Sequence, residues 1–315
     1  MSGITYKSWR IPFMRFVYVC LATGMIVGMG CGREPVHRRA MKEFEAGRYR
    51  EAIFLIRHHF RRGGERSPEL LFIAGKAWLC LGSEAEAEDA FAECYSIDST
   101  WAPKIAEYLR EETIRSMSSG LTVKGKRILL QAISYEPGLD FGSYNAIAGE
   151  MLLVRKDFDG AIHYFSRYLE EHADSAGAAG VMMNLATAYE GKGEIKEAID
   201  LYRRFQDLYP KSRLKTTVQW KLENLLYQMS EEFLKSGDTE RAESILVDLA
   251  SSAGSPIARE RANFLLGEIS EARGDVERAL TYYKEVVNLN LGSSSRLVEK
   301  AKERIEKLEL ERSRR

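Results

Sequence analysis

The chain has 315 residues, enough for two ordinary domains or one long repeat array. Its 46 basic side chains equal its 46 acidic ones, and 45% of its residues are hydrophobic. That composition describes a folded globular protein and excludes a global field for nucleic acid or an acidic substrate.

Taken in chain order, residues 1–30 read as a targeting segment. Lys7, Arg10 and Arg15 form a basic region, and residues 16–29 are an uncharged, mostly apolar run of fourteen. A membrane-spanning helix needs about 20 such residues. The run ends in Gly28, Met29, Gly30 and Cys31. Small residues before a Cys at this place resemble a bacterial lipobox. The resemblance implies cleavage before Cys31 and attachment of lipid to it. Gly28 departs from the Leu or Val usual three before that Cys. An uncleaved N-terminal anchor is the alternative, and Met14 followed by Arg15 would give a shorter basic region if translation starts there. Residues 31–36 then form a short tether.

Residues 33–66 carry ten basic and five acidic side chains, and residues 83–112 carry two basic and nine acidic. Such runs are either solvated helix faces or, for the basic one, a surface turned toward anionic lipid headgroups. Cys20 belongs to the targeting segment, which leaves Cys80 and Cys94. These fall on two helices that diverge from a turn near Gly82, too far apart for a disulfide, whose Cα atoms lie within about 7 Å. Both are expected as mostly buried thiols, with Cys94 a small core residue.

From residue 37 to 292 one pattern recurs. Its turn positions are Gly47, Gly82, Gly120, Lys156, Gly193, Gly237 and Gly274. Five residues after each turn comes a small residue: Ala52, Ala87, Gly125, Ala161, Ala198, Ala242 and Ala279. Nine after comes a large one: Ile56, Phe91, Leu129, Phe165, Tyr202, Leu246 and Tyr283. Seven before is again a small or short residue: Ala40, Gly75, Thr113, Gly149, Ala186, Ser230 and Gly267. Pro137 and Pro210 follow the third and fifth copies. Apolar residues recur at helical spacing within each half, so each copy is a helix pair that buries its apolar face only by stacking on its neighbours.

This pattern resembles the tetratricopeptide repeat. The resemblance implies an all-α protein, a right-handed α-solenoid of about seven helix pairs over residues 37–292. Residues 293–315 then supply a C-terminal capping helix and a charged tail, with Leu297, Ala301, Ile305 and Leu308 on the apolar side. Turn-to-turn steps are 35, 38, 36, 37, 44 and 37 residues, against about 34 for the family. The step of 44 holds Val218, Trp220 and Leu222, and it is filled either by a longer first helix in the sixth pair or by a loop.

Chemistry is sparse. Gly120, Gly125 and Lys126 have phosphate-loop spacing, but Arg127 stands where a Ser or Thr should bind Mg²⁺, and a turn of the repeat accounts for the same residues. His37, His58, His59, His163 and His172 have no zinc-ligand spacing. No nucleophile elbow or Cys–His pair is present. No enzyme activity, no metal, no cofactor and no nucleic acid are therefore expected.

The expected site is a surface. In the family the first helix of each pair lines a groove with repeat positions 2, 5, 9 and 12. Carried over, these are Met183, Thr187 and Glu190 in the fifth pair. They are Asn224, Tyr227, Glu231 and Leu234 in the sixth, and Arg261, Phe264, Glu268 and Glu271 in the seventh. With Cys31 as lipid site, the whole is similar to lipid-anchored envelope scaffolds of diderm bacteria. Examples are the lipoprotein subunit of the outer-membrane β-barrel assembly machine, pilotins of pilus assembly and a periplasmic partner of the Tol-Pal system. The helix ends at residues 205–212 and 291–301 carry that likeness. It implies protein partners in the cell envelope, a periplasm-facing protein on the outer rather than the inner membrane, and an undefined oligomeric state. A peptide- or small-ligand-binding component working with a transporter is the alternative.

Overall fold

The computed structural model describes residues 34–289 and 295–314. The targeting segment and Cys31 lie outside the described residues. Fifteen α-helices, and no strand, are found among the described residues. The chain packs as two compact units, divided between Ile105 and Ala106.

The first unit holds α1 (Val36–Glu45), α2 (Tyr49–Arg61), α3 (Pro68–Cys80) and α4 (Glu84–Ile97). Each packs on the next, and α1 also touches α3. Ala40, Ile56, Leu70, Ile73, Ala74 and Ala90 form its core, with Phe44, Phe60 and Trp78 packed around them. Ser67 accepts a hydrogen bond from the Leu70 amide and Pro68 follows it, so α3 begins with a side-chain cap and a residue that lacks the unneeded amide. Cys94 is fully buried, and its Sγ donates to the Pro68 carbonyl at 3.2 Å. Burial pushes the Cys94 thiol up to about 11. Cys80 is only half-buried, and no disulfide joins the two.

Helix α5 (Ala102–Ser118) crosses the division. The second unit continues with α6 (Thr122–Tyr135), α7 (Asn145–Val154), α8 (Phe158–His172), α9 (Ala178–Lys192) and α10 (Ile195–Leu208). It ends with α11 (Lys215–Ser236), α12 (Thr239–Ser252), α13 (Pro256–Ala272), α14 (Val276–Asn288) and α15 (Arg296–Ser313). From α6 on, each helix packs against the next in sequence. First helices of successive pairs also touch, α7 with α9, α11 with α13, and α13 with α15. Gly125 and Lys126 lie within α6, so the phosphate-loop spacing falls on a helix and its preceding turn.

All seven turn positions have positive φ, from 62° at Lys156 to 87° at Gly193. At Gly193 the amide donates to the Glu190 carbonyl and the next amide reaches back to Tyr189, at 3.1 and 2.9 Å. This left-handed residue closes the first helix and turns the chain into the second. Lys156 alone does so with a side chain, against a steric cost of about 1–2 kcal/mol. Glycine there regains part of this and gives back some backbone entropy. Lys156→Gly should therefore raise stability by about 0.5 kcal/mol, read as a higher urea midpoint; a lower midpoint would mean that Lys156 makes a compensating contact.

The positions around each turn are equally regular. Every small residue five after a turn is buried, as is every large residue nine after and every short residue seven before. The longest step is taken up by helix. Helix α11 runs 22 residues, against 15 for α9 and 17 for α13. Its added turns are not idle: Val218 and Leu222 pack with Tyr202 and Phe205 in one cluster, while Trp220 points out at 56% exposure.

Candidate functional site

The expected surface lies wholly in the second unit, on α9, α11 and α13. Its residues are brought together by the stacking of first helices, but most of them already have partners within the molecule.

Two motifs of identical design dominate. In the fifth pair the Tyr202 hydroxyl donates to Glu190 Oε2 at 3.2 Å and lies 3.2 Å from Thr187 Oγ1. Lys221, on the next first helix, reaches the same Glu190 oxygen at 3.1 Å. In the seventh pair the Tyr283 hydroxyl donates to Glu271 Oε2 at 3.0 Å, and Arg304 of α15 meets Glu271 Oε1 at 3.2 Å. Lys307 approaches that oxygen at 3.5 Å. Each carboxylate thus joins a tyrosine of its own pair to a cation two helices on, Lys221 of α11 or Arg304 of α15. Desolvation pushes both phenols up, as expected for rings packed under the pair they close.

The sixth pair differs. Tyr227 is half-buried, with the Arg261 guanidinium 5.5 Å from its ring centre, within cation–π range. Burial, then the neighbouring Glu231 carboxylate, pushes its hydroxyl up to about 12. Leu234 is half-buried against the cluster of Leu246, Leu249 and Leu266. Asn224 is half-buried, and Met183 packs at the edge of the Tyr202 cluster while its carbonyl accepts from Thr187 Oγ1 at 3.0 Å. Glu268 is exposed, beside α15; desolvation raises its carboxyl while Arg304 and Lys300 pull it down, with a net upward shift.

Phe264 requires a correction. It is 6% exposed and shares a cluster with Tyr283, Val298 and Ala301. Its repeat position faces the next first helix, and α15 covers it, so it is a core residue and offers nothing to a partner. Glu190, Glu271 and Thr187 are spoken for by internal contacts. The open part of the surface is Asn224, Tyr227, Glu231 and Arg261, flanked by Met183 and Glu268.

Several residues that matter here escaped the sequence reading: Lys221, Arg304, Lys307 and the two tyrosine hydroxyls. A signal for them exists. Glu190 and Glu271 stand three residues before a turn, and Tyr202 and Tyr283 nine after it. Where that later residue is Phe, as at Phe91 and Phe165, the earlier one is Leu79 or Leu153. A hydroxyl and a carboxylate therefore occur together or not at all.

No group of three or more His, Cys, Asp or Glu side chains able to hold a metal occurs among the described residues. No described helix is long and apolar enough to cross a membrane.

Residues 148–213 and 227–292 match the profile of the tetratricopeptide repeat family. These segments cover the fourth to seventh helix pairs. No curated protein matches the sequence. Among solved structures the chain is similar to the C-terminal part of a tetratricopeptide repeat-containing protein from Cytophaga hutchinsonii. The identity is 15%, covering 85% of this chain and 99% of that one, at a TM-score of 0.37. A tetratricopeptide repeat protein from Parabacteroides merdae is 15% identical over 87% of this chain and 97% of that one, at 0.31. The Pseudomonas aeruginosa protein pilF is 13% identical over 88% and 96%, at 0.30. At these scores none of the three bears on what the chain does. The two matched segments are similar to tetratricopeptide repeats, and all seven turns share one register with the same buried positions around each, which is the all-α solenoid architecture of such repeats.

Proposed function

We propose that the protein is a membrane-anchored scaffold of the bacterial cell envelope, tethered by lipid at Cys31 and facing the periplasm, that holds protein partners on the first-helix face of its second unit. The observation that carries this reading is the half-open platform of Tyr227 on α11 under Arg261 of α13, with Asn224 and Glu231 beside Tyr227 on α11. Tyrosine and arginine are the side chains most often found at the energetic centre of a protein interface. A charged and aromatic strip on a repeat surface suits an extended peptide or a partner helix. The likeness of residues 28–31 to a lipobox supports the anchor, and the likeness of residues 205–212 and 291–301 to helix ends of envelope scaffolds supports the outer membrane.

Purification of the full chain from detergent-solubilised membranes tests the scaffold. Stoichiometric envelope proteins should accompany the wild type and fall by about tenfold or more with Tyr227→Ala combined with Arg261→Ala. A co-purifying small ligand with no protein partner would overturn the scaffold in favour of a transporter-linked binding component. Labelled palmitate should mark the wild type and not Cys31→Ala; equal labelling of both would end the lipid reading.

A further inference from the structure

Ten basic residues cluster in residues 33–66; the structure describes nine of them, of which three are ion-paired and six, among them Arg38, Arg39 and Arg62, are not. Lys42, Arg48 and Arg66 are paired, with Glu34, Glu43 and Glu93. Arg50, Arg57 and Arg61 form no ion pair among the described residues, and all three are exposed. They share α2 with Phe54, which is 66% exposed and stacks on His58. Residues 50, 54, 57 and 61 are spaced by four, three and four, which puts them in one stripe along the helix. The opposite face of α2 holds Ala52, Ile53 and Ile56 in the core. Beside the stripe is a cleft of 420 Å³ lined by Arg50, Phe54, Arg57, His58, Arg61, Trp78 and Leu81.

The arrangement sets Phe54, the most exposed large apolar side chain among the described residues of the first unit, between unpaired arginines of the same helix face. It matches the boundary of an anionic bilayer, where phosphates neutralise the guanidinium groups and the ring enters the acyl edge. The location agrees. Residue 31 is five residues before α1, a span of at most about 18 Å when extended. A lipid there would hold the α1–α2 hairpin against the membrane surface.

We infer that the Arg50–Phe54–Arg57–Arg61 stripe of α2 docks on a bilayer of anionic phospholipid, so that the first helix pair lies on the membrane and not free of it. The inference rests on the membrane anchoring proposed above, and the two can fail separately.

The test uses the full chain carrying Phe54→Cys, reconstituted with vesicles, and follows alkylation by a membrane-impermeant maleimide. The signal of the chain with Phe54 intact is subtracted. Each arginine near an anionic surface contributes about fivefold to binding, so three give on the order of 100-fold. Alkylation should be slower by about tenfold or more on mixed phosphatidylglycerol–phosphatidylcholine vesicles than on phosphatidylcholine alone. High salt, or Arg50→Gln with Arg57→Gln and Arg61→Gln, should remove the difference. Equal rates on the two vesicle types overturn the inference. So does arginine-dependent protection on both types, which would mean that an acidic protein segment covers the stripe. Flotation with phosphatidylcholine vesicles reports the anchor alone. If the chain does not float with them, the anchoring reading fails, and protection on adding anionic vesicles to the unanchored chain still decides the stripe.

Discussion

Gly149→Ala should destabilise the second unit by about 1–2 kcal/mol, although alanine is the better helix former by about 1 kcal/mol. Gly149 lies inside α7, and a Cβ there would sit 2.6 Å from Cδ1 and Cε1 of the fully buried Phe165 ring. The ring cannot withdraw, because the same face of α8 is packed in the core, so overpacking outweighs propensity. The urea midpoint should fall with little change in slope. Phe165→Leu makes room, and the double variant should be more stable than the sum of the two single losses by about 1 kcal/mol. The chain already contains the relieved combinations. Thr113 pairs with Leu129, Ser230 with Leu246 and Ala40 with Ile56, while Gly75 pairs with Phe91 and Gly267 with Tyr283. Repeat five is the exception, with Ala186 and Tyr202. A Gly149→Ala protein as stable as wild type, or one insensitive to Phe165→Leu, would show that the pairing has no energetic content.

Glu223→Ala should cost about 2–3 kcal/mol, more than any other single carboxylate of the second unit. Glu223 is buried on α11, where Oε1 accepts from the Gly254 amide at 2.7 Å and from Gln219 Nε2 at 3.0 Å. Its Oε2 accepts from the Ser255 amide at 3.2 Å. These amides open α13, so the carboxylate both satisfies two donors and sits at the positive end of a helix dipole. Removing it leaves the amides without an acceptor in a partly buried place. Glu223→Gln keeps one amide-oxygen acceptor but no charge, and should recover about half the loss. Hydrogen exchange at Gly254 and Ser255 should speed up well beyond the change at α9 amides. A uniform change, or a loss no larger than that from the exposed Glu240→Ala, would refute the role. A related contact recurs one pair later, where the Ser295 hydroxyl, not an amide, at the start of α15 donates to the buried Glu260. Both glutamates stand fourteen residues before a turn.

These two effects differ in how far they could be read in advance. The glycine–ring pairs were visible as small and large residues at fixed distances from each turn, because a repeat forces the same contact to recur at the same spacing. The glutamates were not singled out. A carboxylate in a charged helix reads as a solvated face by default, and nothing local marks the one whose acceptor atoms meet a helix start 31 residues later. The groove residues fall between. Their repeat positions were legible, yet Phe264 turned out to be covered by α15, and Glu190 and Glu271 are held by cations two helices on. What a first-helix residue faces depends on how closely the next pair stacks, and that distance is not written in either pair alone.

The sequence by itself determined the helix pairs, their turns and their buried positions, because glycine at positive φ, small residues and 3.6-residue periodicity act locally and repeat. It also marked the basic character of residues 33–66. Only the tertiary structure decided which charges are spent on holding pairs together and which remain open. Ion pairing is settled by distances between side chains some thirty residues apart, so Lys221, Arg304 and Glu223 became structural, while Arg50, Arg57 and Arg61 stayed unpaired on one face of α2.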